Sequence, residues 1–414
     1  MSEESIPESA IDLVAKYLHT RSTKNYSIPV VGLPDNLETP QVFEIMPFGK
    51  IDSVDPHFYA IDGSYNAYSF YNGLAVGLYR AGYVCFKNGK PVRMNLSTDP
   101  VILGKTYAPT QVLMTSELDL EAIYDECLNQ PPLRRLLEFF EASPQEVFPY
   151  SKDVICSNPA NLLRFCQEIM EWALVLEIAE RAETVAGDFI LRDGTLRSLN
   201  IKQKFLVKLG KSLHEKRIRC IAITKQSPTK IELSYTFTQI DNYLQDDLRY
   251  KYPFAEKEYD RQRLCCFFEV PEVVLRSVYG GDRGSGMFGK KDIRGGRGVG
   301  LFFAARLDYV EKLQNYDWVI VDLNIFDAIP QIEQSSTLRD ASTIREIMYL
   351  LTSLAQEHSI LGYPYPLVEA HNLVSIRAEF QEEVIARVKH SLYETRRMDH
   401  TEIENLFLDT HKRF

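Results

Sequence analysis

Twice in this chain a short apolar run ends at an aspartate followed by glycine and a hydroxylated residue: Phe58-Tyr-Ala-Ile-Asp62-Gly63-Ser64 and Phe189-Ile-Leu-Arg-Asp193-Gly194-Thr195. Runs of this length and composition read as buried strands. An acid at the end of such a strand escapes the core and enters the crevice at the sheet edge, where ligand sites of α/β proteins lie. The glycine lets the chain turn and lets another group come close. If the two strands are neighbours, two carboxylates meet. They cannot share a dry site without a cation between them or a displaced pKa, and a hard divalent cation such as Mg²⁺ or Mn²⁺ suits that donor set. Asp-Gly is also ordinary turn chemistry. The weight therefore rests on the repetition.

The rest of the chain predicts how these strands are housed. Residues 8–19 read as a helix, and 23–56, rich in Pro, Asn and Asp, as an irregular linker. Gly73–Phe86 reads as a strand closing at Asn88-Gly89, a strong hairpin signal, with 91–97 returning. Helices are predicted over 118–142, 161–183, 202–216, 342–358 and 367–395, and strands over 218–224, 263–270, 300–307 and 318–323. A meander followed by strands alternating with helices predicts an α/β fold with a mixed β-sheet flanked by helices. The expected division is an N-terminal helix and linker (1–56), one domain (57–395) and a C-terminal tail (396–414). The chain is 45% hydrophobic and 25% charged, an ordinary globular composition. No apolar run approaches the roughly 20 residues of a membrane span. The start of the chain is too acidic and polar for a secretory signal. Seven cysteines without a C-x-x-C pair read as reduced core thiols of a cytoplasmic protein. The net charge of −10 argues against a protein that coats nucleic acid, though not against a local basic channel beside an acidic centre.

Further candidates lie outside the two strands. In the helix before the second strand, Glu177 is the one charge in the eight residues from Trp172 to Ala179, and a carboxylate there is costly unless paired or bound to metal. The alternative is a wet stripe shared with Glu171, Glu180 or Arg181. Near the C-terminus, Gly362-Tyr363-Pro364-Tyr365-Pro366-Leu-Val-Glu-Ala-His371-Asn sets a helix start at Pro366. His371 then falls in the second turn, where the positive helix end favours neutral imidazole, which can bind Mn²⁺ or accept a proton from water. Lys225 follows a strand and is placed to meet a phosphate, or is a solvated turn lysine. The segment 280–300 carries nine glycines and five basic residues (Arg283, Lys290, Lys291, Arg294 and Arg297) against two aspartates. It reads as a loop that grips phosphates or touches a partner. Its Gly284-to-Lys290 spacing fits a nucleotide-binding loop, but Lys291 stands where a Ser or Thr would ligate Mg²⁺.

Taken in order, FYAIDGS, DFILRDGTL and GYPYPLVEAHNL resemble the motifs of the NurA nuclease family over roughly residues 55–380. The last motif is the most specific, because it includes the Tyr-to-His spacing. The resemblance implies an RNase H-like sheet and DNA cleavage with Mn²⁺ or Mg²⁺, held as one ion or as two about 4 Å apart. It implies 5′→3′ exonuclease activity on single- and double-stranded DNA, single-strand endonuclease activity, and a role in end resection at double-strand breaks. The implied partners are DNA, a hexameric HerA-type ATPase and a second copy of the chain. The motif residues carry over onto Asp62, Asp193, Tyr363 and His371. The family's helical glutamate falls on Glu177, with Glu171 and Glu180 as alternatives because no motif anchors that register. Arg192 and Thr195 depart from the aliphatic-Asp-Gly-Ser form expected of the family. The rival reading is an RNase H-like module that binds nucleic acid without cutting it, against which the full set of motif acids argues.

Overall fold

A computed structural model describes residues 42–45, 56–70, 75–92, 104–107, 112–114, 118–225, 227–240, 265–280, 299–308, 318–329, 338–357 and 362–407. Its frame is one sheet, in the order β1 (Phe43–Glu44), β9 (Cys266–Glu269), β10 (Gly300–Arg306), β11 (Trp318–Asn324), β8 (Arg219–Thr224), β7 (Phe189–Asp193), β2 (Phe58–Ser69), β3 (Ala75–Lys87) and β4 (Lys90–Pro91). Two further strands, β5 (Gly104–Tyr107) and β6 (Val112–Met114), also pair with β3. The central β8, β7 and β2 run parallel, and both flanks are antiparallel. This is the mixed sheet that the alternation of strands and helices predicts.

Side chains alternate across a strand, and that alternation sorts the sheet into two faces. Tyr59, Ile61, Ile190 and Ala222 face a core built with α1 (Leu118–Leu128), α2 (Pro131–Phe140), α3 (Pro159–Ala179) and α4 (Gln203–Glu215). Phe58, Ala60, Phe189, Leu191 and Ile223 face the opposite core, built with α5 (Ala341–Glu357) and α6 (Tyr365–Val374). Helix α3 is apolar on almost its whole circumference because it lies between β2, β3 and the outer helices. Asn158 caps it, accepting the Asn161 N–H at 2.8 Å.

Several sequence expectations are corrected. The helix expected over 118–142 is two, broken at Pro131-Pro132, where proline suits a new first turn. The helix expected over 367–395 is also two, α6 and α7 (Ala378–Arg396). The linker contributes β1, which pairs antiparallel with β9. The tail holds a helix, α8 (His400–Leu406), capped by Asp399 with Glu402 three residues into the helix. Ile403 and Phe407 pack with Val384 on Phe70 and Leu78 at the far end of the β2–β3 hairpin. The expected turn is present: Asn88 and Gly89 both have positive φ, as a tight hairpin requires. All seven cysteines are free thiols. Among the described residues no helix is long and apolar enough to cross a membrane. The helix expected over 8–19 and the basic loop, with Arg283, Lys290, Lys291, Arg294 and Arg297, lie outside the described residues.

Candidate active site

The strand lengths create the site. Strand β2 pairs with β3 over its full length, from Phe58 opposite Phe86 to Ser69 opposite Ala75. On its other side β7 accompanies it only from Phe58 to Ile61. Asp62 is therefore not at the end of a strand, as the sequence suggests, but within β2 at the point where its neighbour stops. The last parallel pair is Ile61 with Arg192. Asp62 and Asp193 thus stand side by side one position further on, about 5 Å apart between strands. Parity puts both on the face of Phe58, Ala60 and Leu191, beneath α6.

From α6, His371 reaches Asp62, with Nδ1 2.8 Å from Oδ2. Asp62 Oδ1 accepts the Gly63 N–H at 2.7 Å. The Asp62 side chain is 8% exposed and that of His371 57%, so the pair joins a buried carboxylate to an open rim. His371 stands in the last turn of α6, not near its positive end. Its environment is set by Asp62, and the expected dipole effect does not apply. Tyr363, fully buried ahead of α6, donates its hydroxyl to the Ile223 carbonyl at 3.1 Å and also engages Asp193. The Lys225 ammonium lies 3.7 Å from the centre of the Tyr363 ring. The structure thus gathers Asp62, Asp193, His371, Tyr363 and Lys225.

Electrostatics marks the same cluster. Burial, then the charge of Asp193, pushes the Asp62 carboxyl up to about 6, against the opposing pull of His371 and the Gly63 N–H. Burial also raises Asp193, against Lys225, Tyr363, His371 and Arg192. Burial lowers the Lys225 ammonium, while both aspartates hold it up. Burial and the two carboxylates raise the Tyr363 phenol. Two acids in one partly dry site are left with more negative charge than their neighbours neutralise.

The helical acid is a correction. Glu177 is not brought to this cluster; its charge is felt by Tyr83 and Arg181, near the C-terminal end of α3. Glu180 accepts from Arg135 at 2.8 Å. Glu171 is the acid beside Asp62, and the two carboxylates feel each other. It approaches from the opposite face of the sheet through Gly63, where a Cβ would come within 2.4 Å of Glu171 Oε1. Its Oε2 accepts from Arg192 Nη2 at 2.6 Å. Arg192 was legible as a charge inside an otherwise apolar strand; its partner was not.

Among the described residues no three His, Cys, Asp or Glu side chains converge as a preformed metal site. The donor chemistry nevertheless fits a hard cation. Mg²⁺-like ions keep most of their water and are held by one or two carboxylates together with substrate phosphate, and Asp62 and Asp193 supply two such oxygen donors. Gly194 has φ +115°, which a residue with a side chain adopts only under strain. Its N–H donates to the Ile223 carbonyl at 3.0 Å, fixing the turn after Asp193. Replacing Gly194 by alanine is expected to cost about 1–3 kcal/mol, read as a lower melting temperature. An unchanged melting temperature would show that the turn relaxes freely.

A family model for the NurA domain matches residues 56–376. No curated protein matches the chain. A crystal structure of NurA aligns with a TM-score of 0.33 at 12% identity, covering 95% of this chain and 98% of that one. A crystal structure of NurA bound to dAMP and manganese aligns with a TM-score of 0.30 at 12% identity, covering 93% and 97%.

Proposed function

The chain belongs to the NurA family, and from that premise we propose that it is a metal-dependent deoxyribonuclease whose reaction centre lies between Asp62 and Asp193. The observation that carries this reading is the pairing of those two carboxylates at the split between β2 and β7, with His371 bonded to one of them. The strand order supports an RNase H-like sheet: β3 and β2 antiparallel, then β7 and β8 parallel to β2.

When bound, Mn²⁺ or Mg²⁺ polarises the scissile phosphate and acidifies the attacking water. Asp62 and Asp193 would hold it. An ionised Asp62 can only accept a hydrogen bond, so His371 Nδ1 donates to it, and in the neutral ring Nε2 carries the lone pair. His371 Nε2 therefore takes a proton from water at the open rim, and Asp62 holds the ring in that tautomer. Lys225 sits close enough to both aspartates to offset negative charge that a phosphate brings. Tyr363, anchored to Ile223 and Asp193, holds the floor. Glu171 contributes from beneath the site, and Glu177 has no part in it.

The reading includes 5′→3′ degradation of single- and double-stranded DNA ends, endonuclease action on single strands, and end resection as a homodimer with a hexameric HerA-type ATPase. Family membership supports these finer points. The test uses DNA labelled at either end and circular single-stranded DNA, with Mn²⁺, Mg²⁺ or chelator. Cation-dependent loss of the 5′ label and opening of the circle are expected. Intact DNA under every condition, or cleavage indifferent to chelator, would refute it. Light scattering checks the dimer, which has twice the mass of one chain.

A further inference from the structure

Beneath the two aspartates lies a buried ion pair on the opposite face of the sheet. The Glu171 and Arg192 side chains are 3% and 7% exposed and meet at 2.6 Å. Each also lies against the backbone beside one of the two aspartates. Glu171 Oε1 accepts from Gln167 Nε2 at 2.7 Å, and this carboxylate–amide couple packs against Gly63 so closely that a Cβ would meet Oε1 at 2.4 Å and Gln167 Cγ at 2.6 Å. Arg192 Nη1 donates to the Thr195 carbonyl, and a Cβ on Gly194 would come within 3.2 Å of the same nitrogen. The guanidinium lies over the Trp172 ring, 4.9 Å from its centre, so its plane is held from the α3 side.

We infer that Glu171 and Arg192 form a positioning pair, which ties β2 at Gly63 to the turn after Asp193 and thereby sets the separation of the two carboxylates. This rests on the proposed metal-dependent reading of the site and deepens it. At this level β2 and β7 no longer pair, since their ladder ends at Ile61 and Arg192, one residue short of the aspartates. The pair replaces the missing rung of the ladder. Glu171 is then a support and not a cation ligand, since its Oε2 is held by Arg192 and its Oε1 by Gln167. Arginine at 192 acquires a purpose in this chain: its planar fork holds the Glu171 carboxylate and the Thr195 carbonyl at once.

The test separates position from packing and from ligation. Removing one charge leaves the other buried and alone, whereas replacing both by apolar residues of similar size is often tolerated. The double variant Glu171→Met/Arg192→Met is therefore the informative one. Its melting temperature is measured first, then its shift on Mn²⁺ titration, which reports binding without turnover. The expected result is a folded protein whose half-saturating Mn²⁺ concentration rises about tenfold or more, the scale of lost support behind metal ligands. Glu171→Gln, which keeps the shape but removes the charge and one of the two acceptor oxygens, weakens Mn²⁺ binding without abolishing it, whereas Asp62→Asn abolishes it. If the double variant does not fold, Gly63→Ala displaces the pair without altering charge, and the same rise is expected. A wild-type Mn²⁺ titration in the double variant or in Gly63→Ala would overturn the inference. So would a loss of Mn²⁺ binding in Glu171→Gln as deep as that in Asp62→Asn, which would make Glu171 a ligand. A wild-type protein that neither binds Mn²⁺ nor cuts DNA would instead overturn the functional reading on which the pair's role depends.

Discussion

Asp62→Asn is expected to lower Mn²⁺-dependent cleavage of end-labelled DNA by at least two orders of magnitude, the order of effect seen when one group that stabilises transition-state charge is removed. Asparagine keeps the shape and accepts the Gly63 N–H, but it removes the charge that would hold the cation and orient His371. The metal-free protein should respond in the opposite direction. The folded chain raises Asp62 to about 6 by burial and by the charge of Asp193, so above that pH the ionised carboxylate destabilises the fold. At pH 8 the variant without cation should melt no lower than the wild type, and it should gain nothing from Mn²⁺. Cleavage by Asp62→Asn at the wild-type rate would remove Asp62 from the chemistry. A large fall in melting temperature would mean that the carboxylate is a structural group.

The second large effect is on pH. Asp62 is raised to about 6 and Asp193 is raised with it, so both hold protons more tightly in the folded than in the unfolded chain. The stability that these protons confer is fully present below the unfolded carboxylate range near 4 and is lost as pH climbs through about 6. A cation competes with the same protons, so its affinity must run the other way. Between pH 7.5 and pH 5 the half-saturating Mn²⁺ concentration should rise about tenfold or more, since each displaced proton contributes up to tenfold per pH unit below the pKa. Calorimetry in buffers of different ionisation enthalpy should show proton release on Mn²⁺ binding near pH 6 and little at pH 8. A flat dependence over that range would mean that the cation binds away from the paired acids.

Much of the site was readable in the sequence, for a physical reason. Strand parity and short apolar runs are local signals, so FYAID and FILRD announce both the strands and the faces on which Asp62 and Asp193 lie. The motif spacing from Tyr363 to His371 singled out the imidazole that lies 2.8 Å from Asp62, although His371 alone among eight histidines had nothing to distinguish it. The helical acid could not be read. With apolar residues all round α3, periodicity does not choose between Glu171 and Glu177; the choice is made by how α3 lies on β2, which is tertiary. The continuation of β2 past Gly63 was hidden because glycine reads as a stop, while here it admits Glu171 at close range. The break between α6 and α7 at Ser375-Ile-Arg377 carries neither proline nor glycine and left no local mark. The Asp399–Glu402 capping box, by contrast, was a local sign of α8 in a segment read as tail.

The central claim is that a divalent cation sits between Asp62 and Asp193. Anomalous diffraction at the manganese edge, from crystals grown with Mn²⁺ and a short cleavage-resistant oligonucleotide, tests it directly. The account predicts an anomalous peak within about 2.5 Å of a carboxylate oxygen of each aspartate, with Glu171 still bonded to Arg192 and outside the coordination shell. A peak elsewhere, or one coordinated by Glu171 and not by Asp62, would contradict it.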